Sequence, residues 1–271
     1  MNEKLLNLPP VAEMMRDAGL EPKKQFGQNF LFDLNLTRKI ARNVPNIDNQ
    51  TVIEVGPGPG GLTRALLECG ADKVIAIEKD KTTQPILSKI ADASDNRLEI
   101  IYADAMKINV EKLGVKKYSI CSNLPYNVGT ELLIQWLHLI AKTDGPASMT
   151  LMFQREVAQR IIAKPGDKQY GRLSVLVSLV ANAKILFNVP NTAFFPAPKV
   201  QSAVVQMIPK DSKISLENIE RLTAKLFGQR RKMLRGIMPG VVWARFGLVG
   251  TERAEELSPE KFVEIAHEVV I

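Results

Sequence analysis

Histidine and cysteine are almost missing from this chain. Its 271 residues hold two of each: His138 and His267, Cys69 and Cys121. No pair among them has metal-ligand spacing, so the sequence predicts no metal site and no disulfide framework. A catalytic triad built on a histidine base is disfavoured for the same reason. Both cysteines fall inside apolar-patterned segments, which predicts reduced core thiols in a cytoplasmic protein. Long hydrophobic runs are missing too. The best contender, Leu132 to Ala141, is short and contains Gln135 and His138, so no membrane span is expected. The N-terminal MNEKLLNLPPVAEMM carries acids and lacks a secretion-signal pattern. There is no internal repeat, no low-complexity tract and no exposed coiled-coil pattern, and a monomer is expected. Charge of one sign is not dominant either. The net charge of +7 is spread along the chain and only mildly favours a polyanionic partner.

What is present is alternation. Short β-type runs recur at TVIEV (51–55), KVIAI (73–77), LEIIY (98–102), YSICS (118–122), SMTLMF (148–153), AKILFNV (183–189) and VQSAVVQMI (200–208). Between most of them lie helical stripes: Leu62, Ala65, Leu66 and Cys69, closed by Gly70, and Leu132, Leu133, Trp136, Leu137 and Ile140. Strand–helix alternation predicts an α/β fold with a doubly wound, mostly parallel sheet. The last two runs lack a clear helix between them, so an antiparallel pair at one edge is expected. From Ile214 the pattern is helical only, and Ser258-Pro259-Glu260 reads as a helix start. Two domains are therefore predicted, 1–210 and a small helical one at 211–271.

The first strand runs into Gly56-Pro57-Gly58-Pro59-Gly60-Gly61 and then a helix. Gly56, Gly58 and Gly61 fit G-x-G-x-x-G, and Glu78 follows Gly58 by 20 residues, the spacing of a dinucleotide site. Two details turn the reading away from a nicotinamide cofactor. Pyrophosphate needs backbone N–H donors at such a loop, and Pro57 and Pro59 delete two of them. Carboxylates also gather where strands should end: Glu54, Glu78, Asp80 and Asp104. An acidic rim repels phosphate. It suits S-adenosylmethionine, which has no phosphate and carries an ammonium and a sulfonium. On this reading Glu78 accepts from both ribose hydroxyls and Asp104 from the adenine amino group.

The fourth strand breaks at Ser122-Asn123-Leu124-Pro125-Tyr126-Asn127, because proline cannot donate a ladder hydrogen bond. The segment is either a strand-ending turn or a device for holding a base. An exocyclic adenine amine is a poor nucleophile, since its lone pair is delocalised into the ring. The Asn123 side-chain oxygen and the backbone carbonyl of Leu124 or Pro125 can each accept one of its N–H groups and aim its lone pair at a methyl. Tyr126 offers a ring for the base to stack on. Positioning governs such an in-line displacement, so no strong general base is needed.

Taken together, KKQFGQNFL (23–31), EVGPGPGGLT (54–63), AIEKD (76–80), NLPYN (123–127), MFQREVAQRI (152–161), YGRLSVL (170–176), FFPAPKVQSAV (194–204) and FGQRRKMLR (227–235) run over nearly the whole chain. In this order they resemble the KsgA-type (RsmA) family of small-subunit ribosomal RNA adenine N6-dimethyltransferases. A large-subunit resistance methyltransferase family shares the N-x-P-Y segment, but the KVQSAVV and FGQRRKMLR stretches are more similar to the small-subunit family. The resemblance implies a seven-stranded Rossmann-like class I methyltransferase fold and S-adenosylmethionine as methyl donor, without a metal. It implies that Asn29 and Leu31 lie over the cofactor, with Gly56, Glu78, Asp104 and Asn123 lining it. The substrates it implies are two adjacent adenines near the 3′ end of 16S rRNA, in a small subunit or an assembly intermediate. Phe194, which matches the family's F-x-P-x-P-K-V-x-S, is the expected second ring around the adenine, with Phe195 as its competitor. Candidate RNA contacts are Lys23, Lys24, Arg155, Arg172, Lys199, Arg230, Arg231 and Arg235.

Overall fold

All seven apolar runs become strands of one sheet in the computed structural model, which describes residues 3–22, 28–142 and 145–269. The chain begins with helices α1 (Glu3–Leu6) and α2 (Val11–Asp17), a two-residue strand β1 (Phe30–Leu31) and α3 (Leu34–Ala41). Then come β2 (Thr51–Val55), α4 (Gly61–Glu68), β3 (Lys73–Glu78), α5 (Gln84–Asp92), β4 (Leu98–Tyr102), β5 (Tyr118–Asn123) and α6 (Gly129–Ala141). β6 (Ser148–Gln154), α7 (Arg155–Ile162), α8 (Arg172–Val180), β7 (Ala181–Val189), β8 (Phe194–Phe195) and β9 (Ser202–Pro209) follow. Three helices end the chain: α9 (Leu216–Phe227), α10 (Leu234–Ile237) and α11 (Pro259–Glu268).

The sheet order is β4-β3-β2-β5-β6-β9-β7. β2, β3, β5 and β6 are buried almost without interruption, as strands covered on both faces must be, while the edge strand β4 is mostly half-buried. From β2 the chain steps outward through β3 to β4. It then returns to the other side of β2 for β5 and β6, all in parallel register. The connections leaving β2 and β5 therefore diverge, which opens a crevice at their carboxyl ends. The antiparallel member is β9, which inserts between β6 and β7 and pairs with β6 (Gln154 opposite Ser202). β1 and β8 form a separate antiparallel ribbon that the sequence pattern did not reveal, two residues being too few to show a period.

Local signals explain the helix ends near the crevice. The Asp33 carboxylate caps α3 by accepting from Asn35 N at 2.8 Å. α4 closes at Cys69, and Gly70 takes the left-handed conformation (φ 101°) that the sequence pattern assigned to it. Arg64 of α4 is buried, paired with Glu68 and donating to the carbonyls of Leu6, Leu8 and Pro9, so its charge and donors are satisfied.

Contacts divide the chain into two compact units. One comprises Met1–Leu132, Pro146–Arg155 and Ile185–Met207, and the other Leu133–Gly145, Glu156–Lys184 and Ile208–Ile271. In the second unit the buried Tyr170 donates its hydroxyl to the Leu257 carbonyl at 3.0 Å, and Phe227 stacks on Phe262. Ser258 caps α11, with Pro259 in its first turn. Among the described residues, no helix is long and apolar enough to cross a membrane.

Candidate active site

A cavity of about 270 Å³ lies at the carboxyl ends of the central strands. Asn29, Leu31, Gly56, Glu78, Asp104, Asn123, Leu124, Pro125 and Tyr126 all line it, as do Gln28, Phe30, Glu54 and Lys79. Gln28, Phe30 and Lys79 carried no sequence signal of their own. They enter because the β1 ribbon and the end of β3 fold over the glycine loop.

The loop's own donors are already used. Gly56 N donates to Ile77 O, Gly58 N to the Glu78 carboxylate and Gly60 N to Pro57 O, each at 2.9 Å. All three glycines have positive φ, which lets the chain turn this tightly. With Pro57 and Pro59 lacking an N–H, no amide from residue 56 to 60 is left for a pyrophosphate. The loop instead holds a carboxylate, since Glu78 also accepts from Asp80 N at 2.7 Å.

Three acids face the cavity in three different states. Burial pushes the Glu78 carboxyl above its usual range, against the pull of the Asp80 and Gly58 amides. Lys79, 2.9 Å from Asp104, holds that carboxyl below its usual range, helped by the Met106 amide that Asp104 caps. Glu54 is fully buried, and burial lifts its carboxyl to about 8, although the Thr63 hydroxyl donates to it at 2.6 Å.

The sign of the resulting pH effect follows from linkage. Folded Glu54 keeps a proton that the unfolded chain releases near 4.5, so its contribution to stability is complete below that pH and is lost as pH rises through about 8. Glu54→Gln keeps an acceptor for Thr63 and has no proton to lose. Its thermal midpoint relative to wild type should therefore climb between about pH 5 and about pH 8.5. A difference that stays constant with pH would refute a buried, protonated Glu54.

Asn123, at the tip of β5, donates its amide nitrogen to the Asn29 carbonyl at 3.0 Å. That bond fixes the side-chain flip, so the amide oxygen is the acceptor this cavity-lining residue has to offer. The Pro125 carbonyl is taken, accepting from Val128 N and Gly129 N at the start of α6. Of the two backbone carbonyls the sequence left open, Leu124 therefore remains. The Tyr126 hydroxyl is 2.7 Å from Ser202 Oγ, at the start of β9, so the last residue of the F-x-P-x-P-K-V-x-S stretch fixes the tyrosine. Burial raises the Tyr126 hydroxyl above its usual pKa, opposed by that bond, so it stays protonated at neutral pH.

Phe194 is the residue expected as the second ring around the adenine. It is 5% exposed, sits in the apolar core and does not line the cavity. Its neighbour Phe195 points outward. Register separates the two: Phe194 opposes the buried Leu31, which itself borders the cavity, and Phe195 opposes Phe30.

The basic residues divide similarly. Arg172 is ion-paired with Glu220, which also lies 2.8 Å from His138 Nε2, and Arg230 pairs with Glu255 at 2.5 Å. Both arginines are thereby partly neutralised. Arg155, Lys199, Arg231 and Arg235 are exposed. Lys23 and Lys24 lie outside the described residues.

Comparison with known proteins agrees with this geometry. The family model for ribosomal RNA adenine dimethylase matches residues 19–269. A protein of Chelativorans sp. (strain BNC1) named Ribosomal RNA small subunit methyltransferase A is 50% identical, over 97% of this chain and 98% of its own length. A protein of the same name from Bartonella quintana (strain Toulouse) is also 50% identical, over 97% and 99%. Among solved structures, a dimethyladenosine transferase from Plasmodium falciparum superposes with a TM-score of 0.74 at 26% identity, covering 87% of this chain and 95% of that one. The 23S rRNA methyltransferase ErmE shares the fold, with a TM-score of 0.67 at 21% identity over 88% and 98%. A carboxylate-lined crevice with an oriented Asn123, joined to these matches along almost the full length, places the chain in the ribosomal RNA adenine dimethylase family, as a methyltransferase of rRNA adenines.

Proposed function

We propose that the chain binds S-adenosylmethionine in this cavity and dimethylates the N6 amines of two adjacent adenines near the 3′ end of small-subunit rRNA during ribosome biogenesis. The observation that carries the reading is the Asn123 side chain, held by Asn29 O with its oxygen left to accept. S-adenosylmethionine supplies an electrophilic methyl on a positively charged sulfur. The residues present fit it: Glu78 for the ribose, Asp104 for the adenine edge, and no loop amide from 56 to 60 left to hold a phosphate.

Asn123 Oδ1 and the Leu124 carbonyl each accept one N–H of the target amine, which turns its lone pair toward the methyl. Tyr126 stacks on the base, its ring held by Ser202, which offsets part of the few kcal/mol needed to draw a base out of its stack. The N–C bond would form as the donor's S–CH3 bond breaks and leaves its electron pair on sulfur as a neutral thioether; the surplus proton on N6 would stay hydrogen-bonded to Asn123 Oδ1 or the Leu124 carbonyl until it passes to water. Tyr126, protonated and engaged with Ser202, is not the base. Transfer of labelled methyl to undermethylated small subunits, with mapping of the labelled bases, tests this. Label on any site other than two neighbouring adenines would overturn it.

The helical stretch 211–271 supplies phosphate contacts in this reading, with Arg231 and Arg235 the solvent-facing members of its basic run. Each phosphate contact contributes about 0.7 to 0.9 to the slope of log affinity against log salt. The double replacement of Arg231 and Arg235 by Ala should flatten the slope for RNA by about 1.4 to 1.8. Replacing Arg172 should flatten it less, since its charge already faces Glu220. An unchanged slope in the double variant would remove the pair from the footprint.

A further inference from the structure

The β1–β8 ribbon has an aromatic face that the proposed mechanism does not use. Phe30 opposes Phe195, and Leu31 opposes Phe194. Opposed residues of an antiparallel pair share a face, and so do alternate residues along an extended strand. Phe30, Phe32 and Phe195 therefore stand on one side of the ribbon, and Leu31 and Phe194 on the other. On the second side Leu31 and Phe194 are each 5% exposed, and Leu31 also borders the cavity. The first side starts inside the cavity, where Phe30 forms part of the wall and packs so close to Gly58 that a Cβ there would meet its ring at 2.8 Å. It ends in solvent. Phe195 is 54% exposed, with its ring stacked on Phe32 at a centroid distance of 5.8 Å and an interplanar angle of 29°.

An aromatic ring that ends a row leading out of a ligand cavity, backed by a second ring, is a stacking plate. Exposed cations lie on the same stretch of chain. Lys199, four residues on, is exposed, and the exposed Arg155 reaches the Gln201 side chain at 3.3 Å. An exposed, ring-backed aromatic on a segment that also carries an exposed lysine has the composition of a single-stranded nucleic-acid site. We infer that Phe195, backed by Phe32, stacks the nucleobase next to the adenine held at Asn123. The inference rests on the two-adenine reading. A base drawn out of its stack leaves its neighbour with one face bare, and this ring covers that face.

The test uses small subunits reconstituted with rRNA that is either intact or abasic at the position beside the target adenine. Base–aromatic stacking is worth about 1–3 kcal/mol, so Phe195→Ala should raise KM for intact subunits roughly 5- to 150-fold. It should leave kcat and cofactor affinity near wild type. Phe195→Trp should restore KM, and Phe195→Leu should not, although both keep the position apolar. The abasic neighbour should cost wild type about as much as Phe195→Ala does and cost the Ala variant almost nothing more. An unchanged KM for Phe195→Ala, or an abasic penalty equal in both enzymes, would overturn the inference. Methyl transfer by wild type to intact subunits is read in the same experiment, so failure of the two-adenine reading shows there and not in the ratio of penalties.

Discussion

Asn123→Ala should lose about 10²–10³-fold in kcat, or about 2.7–4 kcal/mol, the scale measured when one preorganised hydrogen-bonding group is removed from a reacting centre. The loss should fall on kcat. In the proposed site cofactor is held mainly by Glu78 and Asp104, and RNA by surface cations and stacked rings, so both affinities should stay within a few-fold of wild type. The side chain also anchors Asn29 O, and Ala forfeits that single hydrogen bond, at about 1 kcal/mol of stability. Asn123→Asp separates the two roles. Its carboxylate can still accept from the target amine, but it has nothing to donate to the Asn29 carbonyl and repels it. Its activity should fall between those of wild type and Ala. Single-turnover methylation at saturating cofactor and RNA measures the effect. Wild-type rates from Asn123→Ala would mean that the amine is activated elsewhere.

The second large effect is expected from Glu78→Ala. This carboxylate holds Gly58 N on one oxygen and Asp80 N on the other, and it faces the cavity. Hydrogen bonds to a charged group are worth about 1.5–3 kcal/mol each. Removing the two proposed ribose bonds should therefore weaken S-adenosylmethionine roughly 10²- to 10⁴-fold in a calorimetric titration. Two amides lose their partner as well, so the thermal midpoint should fall. Glu78→Gln should not rescue binding, because two N–H donors converge on two oxygens and an amide group offers only one acceptor. A Gln variant with wild-type affinity would show that the carboxylate is not the ribose acceptor.

Much of this was legible beforehand, for identifiable reasons. The seven strands of the sheet announce themselves as short apolar runs, because strands covered on both faces need side chains of one kind throughout. The glycine loop and Glu78 are readable because a strand, a tight turn and the next strand's end are separated by a fixed length of chain. Pro57 and Pro59 could be read as missing donors because a missing N–H is a covalent fact, and the fold uses the remaining amides at 56, 58 and 60 internally. The two phenylalanines show the limit. Alternation says that Phe194 and Phe195 face opposite ways, and it cannot say which one faces the core. That depended on pairing with Leu31 and Phe30, more than 160 residues earlier.

The basic clusters divide in the same manner. A run such as Arg230-Arg231 looks uniformly solvent-facing until folding brings Glu255 to the first of the two, and Arg172 meets a glutamate 48 residues away. Those partners lie outside any window of local periodicity.

By itself the sequence determined the α/β alternation, the turn chemistry of the glycine loop, the acids at strand ends and the Asn-Leu-Pro-Tyr stop, all of which are set by neighbours in the chain. Only the tertiary structure decided which acceptors stay available, through Asn29 on Asn123 across 94 residues and Ser202 on Tyr126 across 76. It also decided where β9 inserts and which phenylalanine meets water. These choices depend on hydrogen bonds and packing between segments whose approach costs loop entropy and is repaid only in the assembled fold, so no local stretch of residues encodes them.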